Sequence, residues 1–157
     1  MAALTLFDRL LEAGATPPER VLGTLSLPFE QRQRTRQRVR LGSGLEIGLD
    51  LPRGTVLRGG DLLGSAAGAV VAVAAALERV SVVTVDSPQA LARAAYHLGN
   101  RHVPVEVRAD GLRYLEDHVL DAMIRGLGLR VVHEAAPFEP ETGAYAHGHA
   151  HTHAHDR

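Results

Sequence analysis

The chain of 157 residues contains no cysteine, and its 17 basic residues are all arginine because lysine is absent as well. Without cysteine, the protein has no disulfides, no thiolate nucleophile and no thiolate ligands of the zinc-finger type. Without lysine, Schiff-base enzymes and nucleotide-binding P-loops are excluded. Histidine nitrogen and carboxylate oxygen are therefore the strong metal donors that remain available to this chain.

Aromatic residues and long apolar segments are also scarce. Aromatic side chains make up 4% of the chain, which argues against a surface that stacks nucleic-acid bases. The longest apolar run, residues 66–77, is shorter than the span of about 20 residues that crosses a membrane. The first residues lack the basic start and apolar core of a secretory signal. We therefore expect a globular cytoplasmic protein that binds neither membrane nor nucleic acid.

The chain is rich in histidine at its C-terminal end. In the last eleven residues an imidazole recurs at every second position, with Gly, Ala or Thr between: His147, His149, His151, His153 and His155. Neutral imidazole is a strong ligand for Ni²⁺, Zn²⁺ and Cu²⁺, and small spacers allow neighbouring side chains to turn toward one ion. An expression tag is usually an unbroken histidine run, so the alternation favours a native segment. We predict that residues 144–157 form a disordered, metal-binding tail.

The first half of the chain has the pattern of short strands. Apolar residues alternate at Leu45, Ile47, Leu49 and Leu51, and Gly- and Pro-containing turns separate the segments. Residues 70–73 fit a helix or a strand, and their β-branched side chains favour a buried strand. The sequence therefore predicts a small all-β domain over residues 1–75.

The second half alternates strands and helices. After a strand at residues 80–85, Ser87 and Pro88 mark the start of a helix, and Gly99 is expected to supply the left-handed residue at its end. A strand over residues 103–107, an Asp110-Gly111 hairpin, a second helix ended by Gly128 and a last strand complete the pattern. The order β-α-β-β-α-β is that of a ferredoxin-like fold with both helices on one face of an antiparallel sheet. We predict an α+β protein in which this domain covers residues 76–143.

Arginine recurs at every second position of one segment, at Arg32, Arg34, Arg36, Arg38 and Arg40. This spacing predicts a strand with one basic face. Phosphate binding is one interpretation, but the net charge of −1 and the 18 acidic residues oppose it. A charged edge strand that resists aggregation, or a docking surface for an acidic protein, fits the composition better.

A further candidate ligand, His102, follows the first predicted helix. A loop histidine is commonly just a solvated side chain, and one imidazole holds a metal ion poorly. Across the two-fold axis of a homodimer, however, His102 would meet its own copy and leave other coordination positions open for the tail. His97 lies in the last turn of the first predicted helix, where a histidine is favourable without any metal. His133 lies at a half-buried position of the last predicted strand, so neither histidine is expected to be a primary ligand.

Three motifs of this chain occur together in a known family. They are Gly99-Asn100-Arg101-His102-Val103-Pro104, then Leu51-Pro52-Arg53-Gly54 with Leu57-Arg58-Gly59-Gly60-Asp61, and Phe138-Glu139-Pro140-Glu141 before the histidines. Together they resemble UreE, the family of urease accessory proteins, over most of the chain. The resemblance implies a β domain similar to a chaperone peptide-binding module, a ferredoxin-like metal-binding domain, and a nickel-delivering homodimer with His102 as its shared ligand. It also implies the partners, which are apo-urease and other urease accessory proteins, including the accessory GTPase.

Some relatives carry two further histidines at the positions of Glu116 and His118. This chain keeps His118, whereas Glu116 offers a carboxylate that serves either as a ligand or as a favourable charge at a helix start. The predicted metal ligands are thus His102, His118 and the five tail histidines. Nickel is implied by the resemblance, because Zn²⁺ and Cu²⁺ compete for the same donors.

Two alternatives to a nickel metallochaperone remain at this point. A metal-dependent hydrolase would place Glu116, Asp117 and His118 around a zinc-bound water, although no HExxH pair supports it. A metal store without a client protein would need the tail but not His102. The favoured interpretation is a chaperone that is not an enzyme.

Overall fold

The structure is a computed structural model that describes residues 4–12, 14 and 20–143. Its elements are, in chain order, β1 Leu6–Leu11, β2 Val21–Leu27, α1 Phe29–Arg32, β3 Arg36–Arg40, β4 Glu46–Asp50, β5 Leu62–Ser65, β6 Val70–Ala75, β7 Leu77–Thr84, α2 Pro88–Gly99, β8 Glu106–Arg108, β9 Gly111–Leu115, α3 His118–Gly126 and β10 Arg130–Pro137. The strands form one sheet in each half of the chain, which confirms the predicted α+β class. In the described ranges, no helix is both long and apolar enough to cross a membrane.

The first sheet has the strand order β2-β6-β5-β1-β4-β3. The predicted alternation places Ile47 and Leu49 of β4 in its core, where they pack with Phe7, Leu25 and Leu63. Leu45 lies just before β4 and is exposed, so the buried face begins one alternation later than expected. The ambiguous residues 70–73 belong to β6, which confirms the strand assignment.

The arginine run does not form a single strand. Arg32 is the last residue of the one-turn helix α1, and its side chain is fully buried. The turn forms because the Pro28 carbonyl accepts hydrogen bonds from the backbone N–H groups of Gln31 and Arg32, each at 3.0 Å. The prediction of a five-arginine strand is therefore wrong, since the first arginine of the run faces inward and Arg34 lies between the two elements.

The remaining three arginines lie on β3, at the edge of the first sheet. Arg36 Nε lies 2.6 Å from Asp50 Oδ1 on the neighbouring strand β4. Glu46, also on β4, lies within 4.0 Å of Arg38 and within 3.4 Å of Arg40. Strand β3 thus lies at the sheet edge as predicted. The acidic side chains of β4 offset much of the positive charge of its three arginines.

The second sheet has the order β10-β7-β9-β8, which is the strand order of a ferredoxin-like fold. Both helices cover the same face, and their side chains share one core with the sheet: Val83, Ala94, Leu98, Leu112, Tyr114, Leu120 and Ile124. As predicted, Ser87 caps α2, because its Oγ accepts a hydrogen bond from the Ala90 N–H at 3.1 Å, and Pro88 is the first helical residue.

The connection from α2 to β8 differs from the prediction in two respects. Gly99 remains inside α2, and the left-handed residue is His102, with a φ angle of 55°. The helix winds on through Asn100 in a right-handed conformation, so the reversal comes three residues after Gly99. Strand β8 begins only at Glu106, because Val103 and Val105 turn inward against the helix-covered core.

The two halves of the chain meet at a joint formed by Phe29, Arg32, Phe138 and Glu139. The rings of Phe29 and Phe138 pack edge to face with centroids 5.7 Å apart. Arg32 donates hydrogen bonds to the carbonyl oxygens of Leu27 and Leu57 at 3.1 Å each, and to that of Phe138. This buried guanidinium therefore fastens the end of β10 to the first half of the chain.

Candidate metal-binding site

His102 lies in an ordered turn that exposes its imidazole. It is the one non-glycine residue with positive φ in the described part of the chain. The turn is held by hydrogen bonds from the Arg101 N–H to the Leu98 oxygen and from the His102 N–H to the Gly99 oxygen, each at 3.0 Å. Because a left-handed conformation costs an L-residue about 1–2 kcal/mol, a glycine would be more stable at this position. Strained residues of this kind cluster at functional sites, so the conformation marks His102 as a candidate functional residue.

Replacing His102 by glycine should raise the free energy of unfolding of the metal-free protein by about 1 kcal/mol, because glycine adopts positive φ without strain. The matched control is Asn100→Gly, at a right-handed position in the same turn, where glycine should be destabilising by about 0.5–1 kcal/mol. Urea denaturation measures both values. Equal destabilisation by the two substitutions would contradict the strain described here.

The other predicted ligand among the described residues, His118, follows the short connection from β9 to α3. His118 is the first residue of α3 and is exposed. The Asp117 carboxylate accepts hydrogen bonds from the N–H groups of Val119 and Leu120 at 2.8 and 3.1 Å, so it caps the helix. Glu116 points elsewhere, toward Arg79 and His133. The structure therefore does not pair Glu116 with His118.

Val103 and Pro104, which follow His102, and Glu116 and Asp117, which precede His118, line one cleft of about 210 Å³. The chain segments next to the two predicted ligands therefore lie close together. No three His, Asp or Glu side chains within residues 4–12, 14 and 20–143 have a geometry that could hold a metal ion.

The structure also shows a buried polar cluster that the sequence analysis missed. Asp121 of α3 is 2% exposed, and its carboxylate accepts hydrogen bonds from Ser81 Oγ at 2.7 Å and Tyr114 Oη at 2.8 Å. Its other oxygen lies 2.6 Å from His133 Nε2. Burial by itself would raise the pKa of Asp121, but the hydrogen bonds from Ser81, Tyr114 and His133 outweigh it and hold the pKa below its usual value. The signal in the sequence was a charged residue directly after Leu120 on the apolar face of a helix.

The five tail histidines, His147, His149, His151, His153 and His155, lie outside the described residues. The last described segment nevertheless shows where the chain leaves the fold. The Glu141 N–H donates a hydrogen bond to the Val105 oxygen at 2.8 Å, three residues from His102. Glu141 is therefore held beside the connection that carries His102, while Thr142 and Gly143 line a pocket together with Phe29 and Gly54 of the first half.

The fold and these sites define an α+β protein in which a β sheet precedes a ferredoxin-like unit with an exposed histidine turn. Residues 7–76 match the family described as "UreE urease accessory protein, N-terminal domain", and residues 78–157 match "UreE urease accessory protein, C-terminal domain". The chain therefore belongs to the UreE family. Membership confirms the resemblance and makes the protein a urease accessory protein rather than a catalyst, which excludes the hydrolase alternative.

Individual relatives agree with the family assignment. The urease accessory protein UreE of Alkalilimnicola ehrlichii is 56% identical over 142 residues, covering 90% of this chain and 84% of that protein. The protein of the same name from Pseudomonas putida strain W619 is 58% identical over 126 residues, covering 80% and 78%. The Proteus mirabilis protein is 50% identical over 140 residues, covering 89% and 87%.

Proposed function

We propose that this protein is a cytoplasmic nickel chaperone that gathers Ni²⁺ and delivers it to apo-urease. The observation that carries the proposal is the strained, exposed His102 in an otherwise ordered turn. Membership of a family of urease accessory proteins supplies the client, and the donor chemistry of imidazole suits Ni²⁺ as cargo. Zn²⁺ and Cu²⁺ compete for the same nitrogen ligands.

The delivery site is proposed to form between two copies of the chain. One imidazole is a weak site, whereas two copies of His102 across a two-fold axis place two nitrogens on one ion. Tyr96, near the end of α2, is 65% exposed and supplies apolar surface beside this turn. A homodimer joined through the second sheet and its helices would bury that ring and complete the site.

The tail histidines are proposed to supply the remaining ligands. Glu141 is hydrogen-bonded to Val105, and the three residues from Val105 to His102 span at most about 11 Å. The six residues from Glu141 to His147 reach up to about 20 Å. The first tail imidazole therefore has enough chain to contact an ion at His102 of its own subunit.

Transfer is proposed to proceed by ligand exchange. Imidazoles on the tail leave an ion one at a time, so the ion is released without opening a closed cage of four protein ligands. Apo-urease and the other accessory proteins, including the accessory GTPase, are the expected recipients. The division of the chain into a β domain of residues 1–75, a metal-binding domain of residues 76–143 and a tail of residues 144–157 remains part of this proposal.

The test is a nickel titration of the full chain, its His102→Ala variant and a variant with the five tail histidines changed to alanine. His102→Ala should remove one tightly bound Ni²⁺ per dimer and slow the activation of apo-urease at least tenfold. Loss even of a group that only supports a metal ligand lowers metal affinity about 10–100-fold. His97→Ala, which changes a partly exposed histidine on α2, is the matched control and should leave both values unchanged.

The outcome also separates delivery from storage. If His102→Ala keeps the full nickel stoichiometry and activates urease at the normal rate, the delivery site is refuted and a metal store remains. Light scattering of the nickel-loaded protein must also show dimers, and monomers at full occupancy would refute the shared site.

A further inference from the structure

His133 of β10 lies between two carboxylates. Its Nε2 is 2.6 Å from Asp121 Oδ2, and its Nδ1 is 3.5 Å from Glu116 Oε1. Asp121 is buried and already accepts hydrogen bonds from the hydroxyls of Ser81 and Tyr114. An ionised carboxylate only accepts hydrogen bonds, so Nε2 carries a proton and donates it to Asp121.

This contact fixes the tautomer of the neutral ring. With the proton on Nε2, the Nδ1 lone pair faces the Glu116 oxygen, which is also an acceptor. Two acceptors this close to each other repel unless both interact with one positive species. That species is either a second proton on the ring or a metal cation.

The separation fits a cation. Borderline divalent ions bind imidazole nitrogen at about 2.0–2.1 Å and carboxylate oxygen at about 2.0–2.2 Å, which puts two ligands of a tetrahedral site about 3.3–3.5 Å apart. The observed 3.5 Å between Nδ1 and Oε1 matches that spacing. A histidine whose second nitrogen donates to a buried carboxylate is also the usual arrangement of a metal-ligating histidine, because the carboxylate orients the ring.

We propose that Glu116 Oε1 and His133 Nδ1 form a second, exchangeable site for a borderline divalent cation such as Ni²⁺. Arg79 Nε holds the other oxygen of Glu116 at 2.9 Å and leaves Oε1 open. The charges of Glu116, Asp121 and Arg79 sum to −1, which attracts a cation. Water or a mobile imidazole from elsewhere supplies the remaining ligands.

This site differs from the one that the relatives suggested, because it pairs Glu116 with His133 and leaves His118 out. It also reverses the expectation that strand position alone explains His133. The side chains of Glu116 and His133 are 34% and 31% exposed, so an ion has access from solvent. With two protein ligands in one chain, the site does not require a dimer and does not rest on the proposed delivery function.

The experiment uses the full chain with His102 and the five tail histidines changed to alanine, so that neither proposed delivery element binds metal. Equilibrium dialysis against Ni²⁺ and visible absorption with Co²⁺ should each show one weak equivalent per protomer. In this background Glu116→Gln and His133→Gln should each lower the affinity at least tenfold, whereas His97→Gln should not change it. Glutamine at position 133 keeps an N–H donor for Asp121, which separates loss of a ligand from loss of packing.

Two further measurements decide the matter. The ¹⁵N resonance of His133 Nδ1 should shift when Zn²⁺ is added, whereas the resonance of Nε2 should keep the chemical shift of a protonated nitrogen. The inference is overturned if Nδ1 carries a proton that millimolar metal does not displace, or if the weak equivalent is lost with His118→Gln and kept with His133→Gln. Because this background lacks the His102 and tail imidazoles, failure of this experiment leaves the delivery proposal untouched, and failure of the delivery proposal leaves this one untouched.

Discussion

Replacing Arg32 by methionine should lower the free energy of unfolding by about 3–5 kcal/mol, the cost of removing one partner from a buried charged network. Methionine has a comparable apolar stem but no donors, so the carbonyls of Leu27, Leu57 and Phe138 would lose the hydrogen bonds that the guanidinium supplies. The Glu139 carboxylate, 3.5 Å from Arg32 Nη1, would lose its buried counter-charge. Urea denaturation followed by circular dichroism measures the loss.

The matched control for Arg32 is Arg34→Met, two residues further on. The Arg34 side chain is 57% exposed and pairs with Glu30, which is 74% exposed, so its removal should change stability by less than about 1 kcal/mol. Because Arg32 joins the two halves, its loss should also separate a single unfolding transition into two. A single unchanged transition in the Arg32→Met protein would show that the joint contributes little.

Acid should destabilise the protein through Asp121. Since hydrogen bonds hold the folded-state pKa of Asp121 below its usual value of 3.8, the ionised carboxylate stabilises the fold above about pH 4, and this contribution is lost as the pH falls through the lowered pKa. Asp121→Asn should cost about 2–3 kcal/mol at pH 6, because the bonds from Ser81, Tyr114 and His133 end on a charged acceptor.

Urea denaturation at pH 6 and pH 3 tests the acid dependence. The original protein should lose more stability between these values than Asp121→Asn, which has no carboxylate to protonate. Asp110→Asn, at an exposed position in the β8–β9 hairpin, is the control and should keep the acid dependence of the original protein. If Asp121→Asn and the original protein lose equal stability between pH 6 and pH 3, the buried carboxylate is not the source of the acid sensitivity.

Local sequence signals predicted the second half of the fold well. The Ser87 cap, Pro88 and the β8–β9 hairpin signal all act within a few residues, and the structure confirms each of them, although the hairpin turns at Ala109-Asp110 and Gly111 already belongs to β9. The β-α-β-β-α-β order of these elements predicted the ferredoxin-like strand order, which the structure shows. His102, His118 and the tail histidines remain predictions as ligands, and the structure adds a reason for His102 in its strained turn.

The features that were missed depend on partners far away in the sequence. Arg32 looked like part of a strand because alternation is a local pattern, whereas its burial depends on Phe138, which lies 106 residues later. In the same way, Ser81 and Asp121 are 40 residues apart, and their contact follows from the way α3 packs on the second sheet. Gly99 was assigned the left-handed position because glycine tolerates it most easily, but a histidine occupies it instead.

The anchoring of the segment after β10 has a mechanical consequence. Phe138 packs on Phe29, the Phe138 carbonyl accepts from Arg32, and Glu139 accepts a hydrogen bond from the Gly59 N–H at 2.7 Å. A force applied to the C-terminal end would therefore load the contact of Glu141 with Val105 in the second half and the contact of Glu139 with Gly59 in the first half. Tension at this end is thereby transmitted to both halves of the chain at once, and a change in their relative position would move the segment in turn.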